Sequence, residues 1–304
     1  MGLTRRQLLA AAAAGAGRAA AQAQYKAGGA KPRTKPPVCL YSKQLAKVEY
    51  DDLGKVLRDL GFDGCDLSVE PGGHVLPGQA QADLVRAVLA VTDAGLDVPV
   101  FTTSITSPGD PNLRLILGIG NFMGVPLFRP GIWKYNGATG IEARLAQVQG
   151  EIAGLASVAR GSAMAMGLRN AAGDNVGSAV WDTNFMIRGM DPQWVGYAFD
   201  PGSAAAAGGV EGGWLALRLA LPRLKMATLN DFNWTKDTGG AWKAVPCPMG
   251  EGMVDWSRFF ATLARAKFTG PLSIEMGYRP AKEIEAIGRD LEFVRKQVAA
   301  AYGS

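Results

Sequence analysis

Short apolar runs alternate along the chain with stretches in which apolar residues recur every three or four positions. The runs cover residues 38–41, 64–69, 98–103, 125–129, 162–169, 194–200, 224–230 and 271–277. Each is the length of a strand buried on both faces. Helical spacing fills most of the gaps between them. Leu53, Val56, Leu57 and Leu60 precede Gly61, and Leu84, Val85, Val88 and Leu89 precede Gly95. Residues 112–123 form a weaker helix, and Ile141, Leu145, Val148, Ile152, Leu155 and Ala159 make a clear stripe. After a Gly-rich turn, Trp214, Leu217, Leu219 and Leu221 lead to Pro222. Trp256, Phe259, Phe260 and Leu263 mark another helix, and Ile284, Ile287, Leu291, Val294 and Val298 the last. Strands alternating with helices predict parallel pairing through right-handed crossovers, and eight such units close into a single (β/α)8 TIM barrel of the α/β class. The competing arrangement is an open, doubly wound sheet. No Gly-x-Gly-x-x-Gly or phosphate-cradling loop follows the first strand to support it.

The N-terminal end of the chain has a different character. Thr4-Arg5-Arg6-Gln7-Leu8-Leu9, an Ala-rich apolar run and Ala21-Gln22-Ala23 together read as a twin-arginine export signal over residues 1–23. The run is shorter than the roughly 20 residues of a spanning helix, and no later stretch qualifies. Residues 24–37 are a flexible lead-in of Lys, Pro, Gly and Ala, and 38–304 the barrel domain. Losing Arg5, Arg6 and Arg18, with no acid beside them, takes the formal charge from +5 to +2. The expectation is therefore a periplasmic or secreted protein, with no membrane partner after cleavage and no nucleic-acid partner. Cys39, Cys65 and Cys247 are an odd set, which argues against a disulfide framework.

Active sites of this fold lie at the C-terminal ends of the strands. There the chain places His74, Arg129, Asn170, Asp200, Asn230, Asp231 and Glu275. Trp194-Val195-Gly196-Tyr197-Ala198-Phe199 runs out at Asp200, and Pro201-Gly202-Ser203 ends the strand. Asp200 and Glu275 at one mouth could move protons between adjacent sugar carbons or hold a cation. An ion pair with Arg129 or a loop lysine is the plainer use of the same carboxylates. Trp234 and Trp242 flank the seventh-strand loop and could stack on a sugar face. Trp181 and Trp194 read as packing helices against the barrel.

Five segments carry a family resemblance: Gly61-Phe62-Asp63-Gly64, residues 71–77, 191–196 and 211–214, and Pro248-Met249-Gly250-Glu251-Gly252-Met253-Val254-Asp255. From about Pro37 to Tyr278 the chain resembles the exported sugar phosphate isomerase/epimerase-like proteins of the xylose-isomerase-like barrel superfamily. The resemblance implies a (β/α)8 barrel acting on a small-molecule sugar or sugar derivative by proton transfer through an enediol(ate). It also implies a divalent metal, Mg or Mn, held by Glu, Asp and His. In this sequence Asp200 and Glu275 would be the catalytic pair and the only metal ligands. His74, Arg129, Asn170, Ser203, Asn230, Asp231 and Trp234 would contact substrate. The chain departs from the pattern at four strand exits. Asn170-Ala171-Ala172-Gly173 replaces Asn-His-Ser-Gly, and Asp200-Pro201-Gly202-Ser203 lacks the usual imidazole. Asn230-Asp231-Phe232 replaces Lys-Asp-Phe, and Glu275-Met276-Gly277-Tyr278 has glycine where a carboxylate is usual. The expectation is a weakened site that binds metal weakly, if at all. The alternatives are a non-catalytic carbohydrate-binding barrel, or a lyase or hydrolase on oxidised sugars. A zinc-cluster DNA-repair endonuclease of the same superfamily would need several histidines, and the chain has one.

Overall fold

Eight of the ten strands close on themselves. In a computed structural model describing residues 33–303 they are β1 (Val38–Tyr41), β2 (Gly64–Val69), β3 (Asp97–Thr103), β4 (Leu127–Arg129), β5 (Ala165–Arg169), β6 (Val195–Phe199), β7 (Leu224–Leu229) and β10 (Leu272–Ile274). All pair in parallel, in the order β1-β10-β7-β6-β5-β4-β3-β2. This is the single (β/α)8 barrel expected from the alternation. The helices are α1 (Tyr50–Leu60), α2 (Ala80–Asp93), α3 (Leu113–Met123), α4 (Ile141–Gly161), α5 (Val180–Ile187), α6 (Pro201–Ala220), α7 (Trp256–Arg265) and α8 (Glu283–Tyr302). The expected signal, 1–23, and the lead-in as far as residue 32 lie outside the described residues. Among those described, no helix is long and apolar enough to cross a membrane.

The outward faces of the strands and the inward faces of the helices share one large apolar core, with Leu40, Leu67, Phe101, Phe128, Tyr197 and Phe260 fully buried in it. A second, small cluster of Val100, Ala198 and Met226, with Leu127 against it, fills the lower barrel interior. Above it the inward side chains turn polar. The Gly-Phe-Asp-Gly segment is scaffold. Gly61 ends α1 at φ 93°, a left-handed conformation that favours glycine. Asp63 accepts from the Val38 amide at 2.8 Å, tying that turn to β1. Cys39 and Cys65 are buried free thiols, and Cys247 is half-buried and free.

The structure differs from the sequence reading in four places. Residues 180–187 form α5, to which no helical pattern was assigned, and Trp181 on it is 51% exposed rather than packed against the barrel. Helix α6 begins at Pro201 rather than near Trp214. The Asp200 side chain caps it by accepting from the Ser203 amide at 2.8 Å. Its Ala-rich first half is helical up to Gly209, where φ 71° and ψ 175° break the axis. The strands before residues 170 and 275 are shorter than their apolar runs, because α4 extends to Gly161 and the chain leaves the barrel early after Ile274, and β4 starts at Leu127, two residues into its run. Finally, β8 (Asp231–Lys236) and β9 (Trp242–Cys247) form an antiparallel hairpin between β7 and α7. Its turn is set by Asp237, whose Oδ1 accepts from the Gly239 and Ala241 amides at 2.9 and 3.0 Å.

Candidate active site

Alternation sends every second strand residue into the barrel. Near the strand ends these residues are polar on most strands. Thr102 on β3 and Ser273 on β10 each donate a hydroxyl to buried Asp66 on β2, at 2.5 and 2.6 Å. Burial pushes the Asp66 carboxyl up, and Arg129 and the two hydroxyls only partly offset it.

Above Asp66 lies a chain of charges. Arg129 closes β4, and its guanidinium donates through Nη1 and Nη2 to Glu275 Oε2, both at 3.0 Å. Nη1 also reaches Thr228 on β7 at 3.0 Å, and the guanidinium stacks 5.2 Å from the centre of the Tyr41 ring. Arg169 closes β5 and spans two acids. Its Nη1 donates to Glu275 Oε1 at 2.5 Å. Its Nε and Nη2 donate to Asp200 Oδ2 at 3.2 and 2.8 Å. Asp200 is fully buried and also accepts from Asn230 Nδ2 at 2.7 Å. Asn170 clamps the Asp200 backbone, donating to its carbonyl at 2.8 Å and accepting from its amide at 2.9 Å. Every carboxylate oxygen of Asp200 and Glu275 therefore already accepts a hydrogen bond. Arg169 and Glu275 reach solvent at their edges, with side-chain exposures of 15% and 18%.

The electrostatics follow from this contact set. Burial pushes Glu275 up, but the charges of Arg169 and Arg129 and their hydrogen bonds more than reverse it and hold the carboxyl at about 2. Burial opposes charge on the two arginines as well, and Glu275 first among their neighbours outweighs it, so both stay protonated. Burial and the charge of Glu275 push the Tyr41 phenol well above its ordinary range. The acids and arginines are matched to one another, in surroundings where an unpaired charge is costly.

Among the residues singled out from sequence, Arg129, Asn170, Asp200, Asn230 and Glu275 form this one cluster. Ser203 joins it through its backbone amide. Asp231 lies apart and is buried in a separate nest, where it accepts from the amides of Phe232, Gly250, Gly252 and Val254 and from Trp256 Nε1. That explains the Gly-Glu-Gly-Met-Val-Asp segment physically. Alternate amides point at one carboxylate, and a Cβ on Gly252 would lie 2.1 Å from Asp231 Oδ1. His74 is buried under the loop after β1. Its amide donates to Ser68 Oγ at 2.8 Å, its Nδ1 lies 3.3 Å from the Ser42 carbonyl, and its ring packs on Tyr50. Burial lowers its pKa, so it is held neutral, and it makes no hydrogen bond to the charged cluster. Trp234 is on the hairpin, 38% exposed. Arg169 is the residue the sequence reading missed. Its signal was the parallel with Arg129, since each is the last residue of its strand. A crevice of about 40 Å³ lies elsewhere, between α6 and α7 beside Trp214 and Phe259.

The donor set does not fit a divalent cation. Asp200 and Glu275 are each paired to a guanidinium, so an ion set between them would displace or face Arg169 and Arg129. Asp66 is engaged by two hydroxyls. Among the described residues no group of three or more His, Cys, Asp and Glu is placed to hold a metal. At Gly277, where the family resemblance leads one to expect a carboxylate, a Cβ would lie 2.8 Å from Pro246 of the hairpin, so that space is already filled.

The sequence profile of the xylose isomerase-like TIM barrel family matches residues 54–297. The chain belongs to this family. Solved structures with the same fold include a xylose isomerase-like TIM barrel protein from Mycobacterium smegmatis in complex with magnesium, at 16% identity and TM-score 0.68 over 88% of this chain and 97% of that one. The 3-keto-D-glucoside 4-epimerase YcjR of E. coli aligns at 15% identity and TM-score 0.67, over 86% of this chain and all of that one. D-allulose 3-epimerase from Methylomonas, in complex with D-allulose, gives 13% identity and TM-score 0.67 over 86% and 97% of the two chains. At these identities the likeness shows the fold alone. No curated protein matches the chain in sequence.

Proposed function

We propose that the protein is a sugar isomerase/epimerase-like barrel that takes a small sugar or sugar derivative at the mouth above Arg129, Arg169, Asp200 and Glu275. The observation that carries this is the convergence of two carboxylates, two guanidiniums and two asparagine amides from β4, β5, β6, β7 and β10 on one patch. Such a set offers donors and acceptors for hydroxyls, and positive charge where an enediolate oxygen would develop. Family membership and epimerases among the structures of the same fold support the same reading.

The same geometry limits the chemistry. A carboxylate held at about 2 is a weak proton acceptor at neutral pH, because an effective base titrates near the working pH. Glu275 or Asp200 could act as a base only after substrate drew Arg169 away. The reading is thus of a site whose proton transfer is slow and whose binding persists. Pure carbohydrate binding without turnover is the second reading, and the saturated carboxylates favour it. Both include export through the twin-arginine segment, which a mature N-terminus determined by mass spectrometry tests.

The functional test is a panel of ketoses, aldoses and sugar acids followed in D2O. Calorimetry reports binding, and NMR reports deuterium entering next to the carbonyl, with chelator and with added Mg²⁺ or Mn²⁺. Binding with slow exchange that Glu275→Gln or Asp200→Asn abolishes supports the isomerase-like reading. Binding without exchange supports the second, and no binding across the panel overturns both.

A further inference from the structure

The hairpin offers a surface that the mouth chemistry does not use. Trp234 and Trp242 are 38% and 62% exposed, unusual for indoles. The register pairs Phe232 with Pro246, Trp234 with Ala244 and Lys236 with Trp242. Directly opposed residues share a face, as do residues two apart on a strand. The two tryptophans therefore sit diagonally on one face, about 7–8 Å apart. Phe232 packs edge-on against Trp234 at 5.9 Å, and the Lys236 ammonium lies 5.2 Å from the centre of the Trp242 ring.

This face is continuous with the mouth. Pro246, at its inner end, lies against Gly277, two residues beyond Glu275. Trp234 is set about 7 Å farther out along the strands, and Trp242 about 7 Å beyond it. On the opposite face Asn233 Nδ2 donates to the Glu251 carbonyl at 2.9 Å, which holds the inner end, while Thr235, Lys243 and Val245 stay exposed. The hairpin is thus fastened from behind, and its aromatic side leads outward from the charged cluster.

We propose that Trp234 and Trp242 form a saccharide platform, so that the ligand is a glycoside or oligosaccharide with one ring at the mouth and the next on Trp234. This rests on the sugar-binding reading of the mouth. Flat indole faces match the C–H faces of a pyranose ring, and Lys236 supplies donors for its hydroxyl edge. A second copy of the chain fits less well. Two indoles cover at most about 500 Å², short of the roughly 800 Å² per partner of a stable interface.

The test measures affinity by calorimetry for glucose, galactose and glucuronic acid, each alone and in matched di- and trisaccharides. Wild type should bind at least one disaccharide about tenfold more tightly than its monosaccharide. Trp234→Ala should remove that gain, and thermal melting and circular dichroism matching wild type would show that the barrel is still folded. Trp234→Phe should keep most of the gain, and Trp242→Ala should remove any further gain from a third ring. Monosaccharide binding with no gain from a second ring, or a gain that survives Trp234→Ala, would overturn the platform and leave the mouth reading standing. Loss of all binding by Arg169→Ala, with the tryptophans intact, locates the first ring at the mouth. Failure of every sugar to bind overturns mouth and platform together. A dimer dispersed by Trp234→Ala with Trp242→Ala, in sedimentation without saccharide, would assign the face to a second copy instead.

Discussion

Replacing Arg169 by methionine keeps much of the side chain's apolar stem and removes the one charge shared by Asp200 and Glu275. Asp200 would lose two of its four hydrogen bonds, keeping those from the Ser203 amide and Asn230. Glu275 would keep only Arg129. Removing one partner from a buried ion pair costs about 3–5 kcal/mol. Water reaches the rim, with Arg169 15% and Glu275 18% exposed, so the expected cost is at the low end, about 3 kcal/mol. Linkage gives an independent ceiling. Glu275 titrates at about 2 in the folded chain, against about 4.3 when unfolded, a difference worth at most about 3 kcal/mol before solvent screening is allowed for. Its folded value is depressed, so this stability is present above the unfolded value and is lost as pH falls from about 5 towards 2. The assay is urea unfolding of wild type and R169M at pH 7 and pH 3. We expect the gap between them to be about 3 kcal/mol at pH 7 and at most about half that at pH 3, where Glu275 of the unfolded chain is mostly protonated while the folded wild type still holds it ionised, so unfolding is favoured by proton uptake. A gap below about 1 kcal/mol at pH 7, or one equal at both pH values, would refute the view that Arg169 holds the two acids together.

Two further outcomes follow from the packing around the mouth. Asp231→Ala should destabilise the protein by at least about 3 kcal/mol, because several buried donors lose one shared acceptor. It should also open residues 248–255 to limited proteolysis, and an intact, equally stable variant would contradict the nest described here. Gly277→Glu, which supplies the carboxylate that the family resemblance implies there, should not create a metal site, since its Cβ would meet Pro246 at 2.8 Å. Calorimetry with Mn²⁺ should show no gain in affinity and thermal melting should show a loss of stability. A gain of tenfold or more would mean that the hairpin yields its place.

The apolar periodicity by itself determined the barrel. Eight short runs buried on both faces, separated by helical stripes, have few ways to hide their apolar surface, and closure into a parallel barrel is one that leaves no edge strand. The same reasoning placed Asp200, Arg129, Asn170, Asn230 and Glu275 at strand ends, because alternation and the strand-breaking residues after them are local properties. What each side chain does there was not local. Arg169 and Asn170 are neighbours in sequence, and only the register of β5 against β6, with Arg169 opposite Ala198, turns the guanidinium towards Asp200. Asp231 reads like a mouth residue from its position, yet it is consumed by amides about twenty residues later, which no pattern near it announces. The hairpin was hidden because its strands are mostly exposed and the second of them, Trp242–Cys247, carries no regular apolar alternation. Its turn at Asp237 is local, but its seat on Gly277 is decided by a contact between distant segments. The sequence thus specified where charges could collect. The tertiary structure decided that they neutralise one another, because buried carboxylates and guanidiniums brought within hydrogen-bonding distance lose less by pairing than by standing alone.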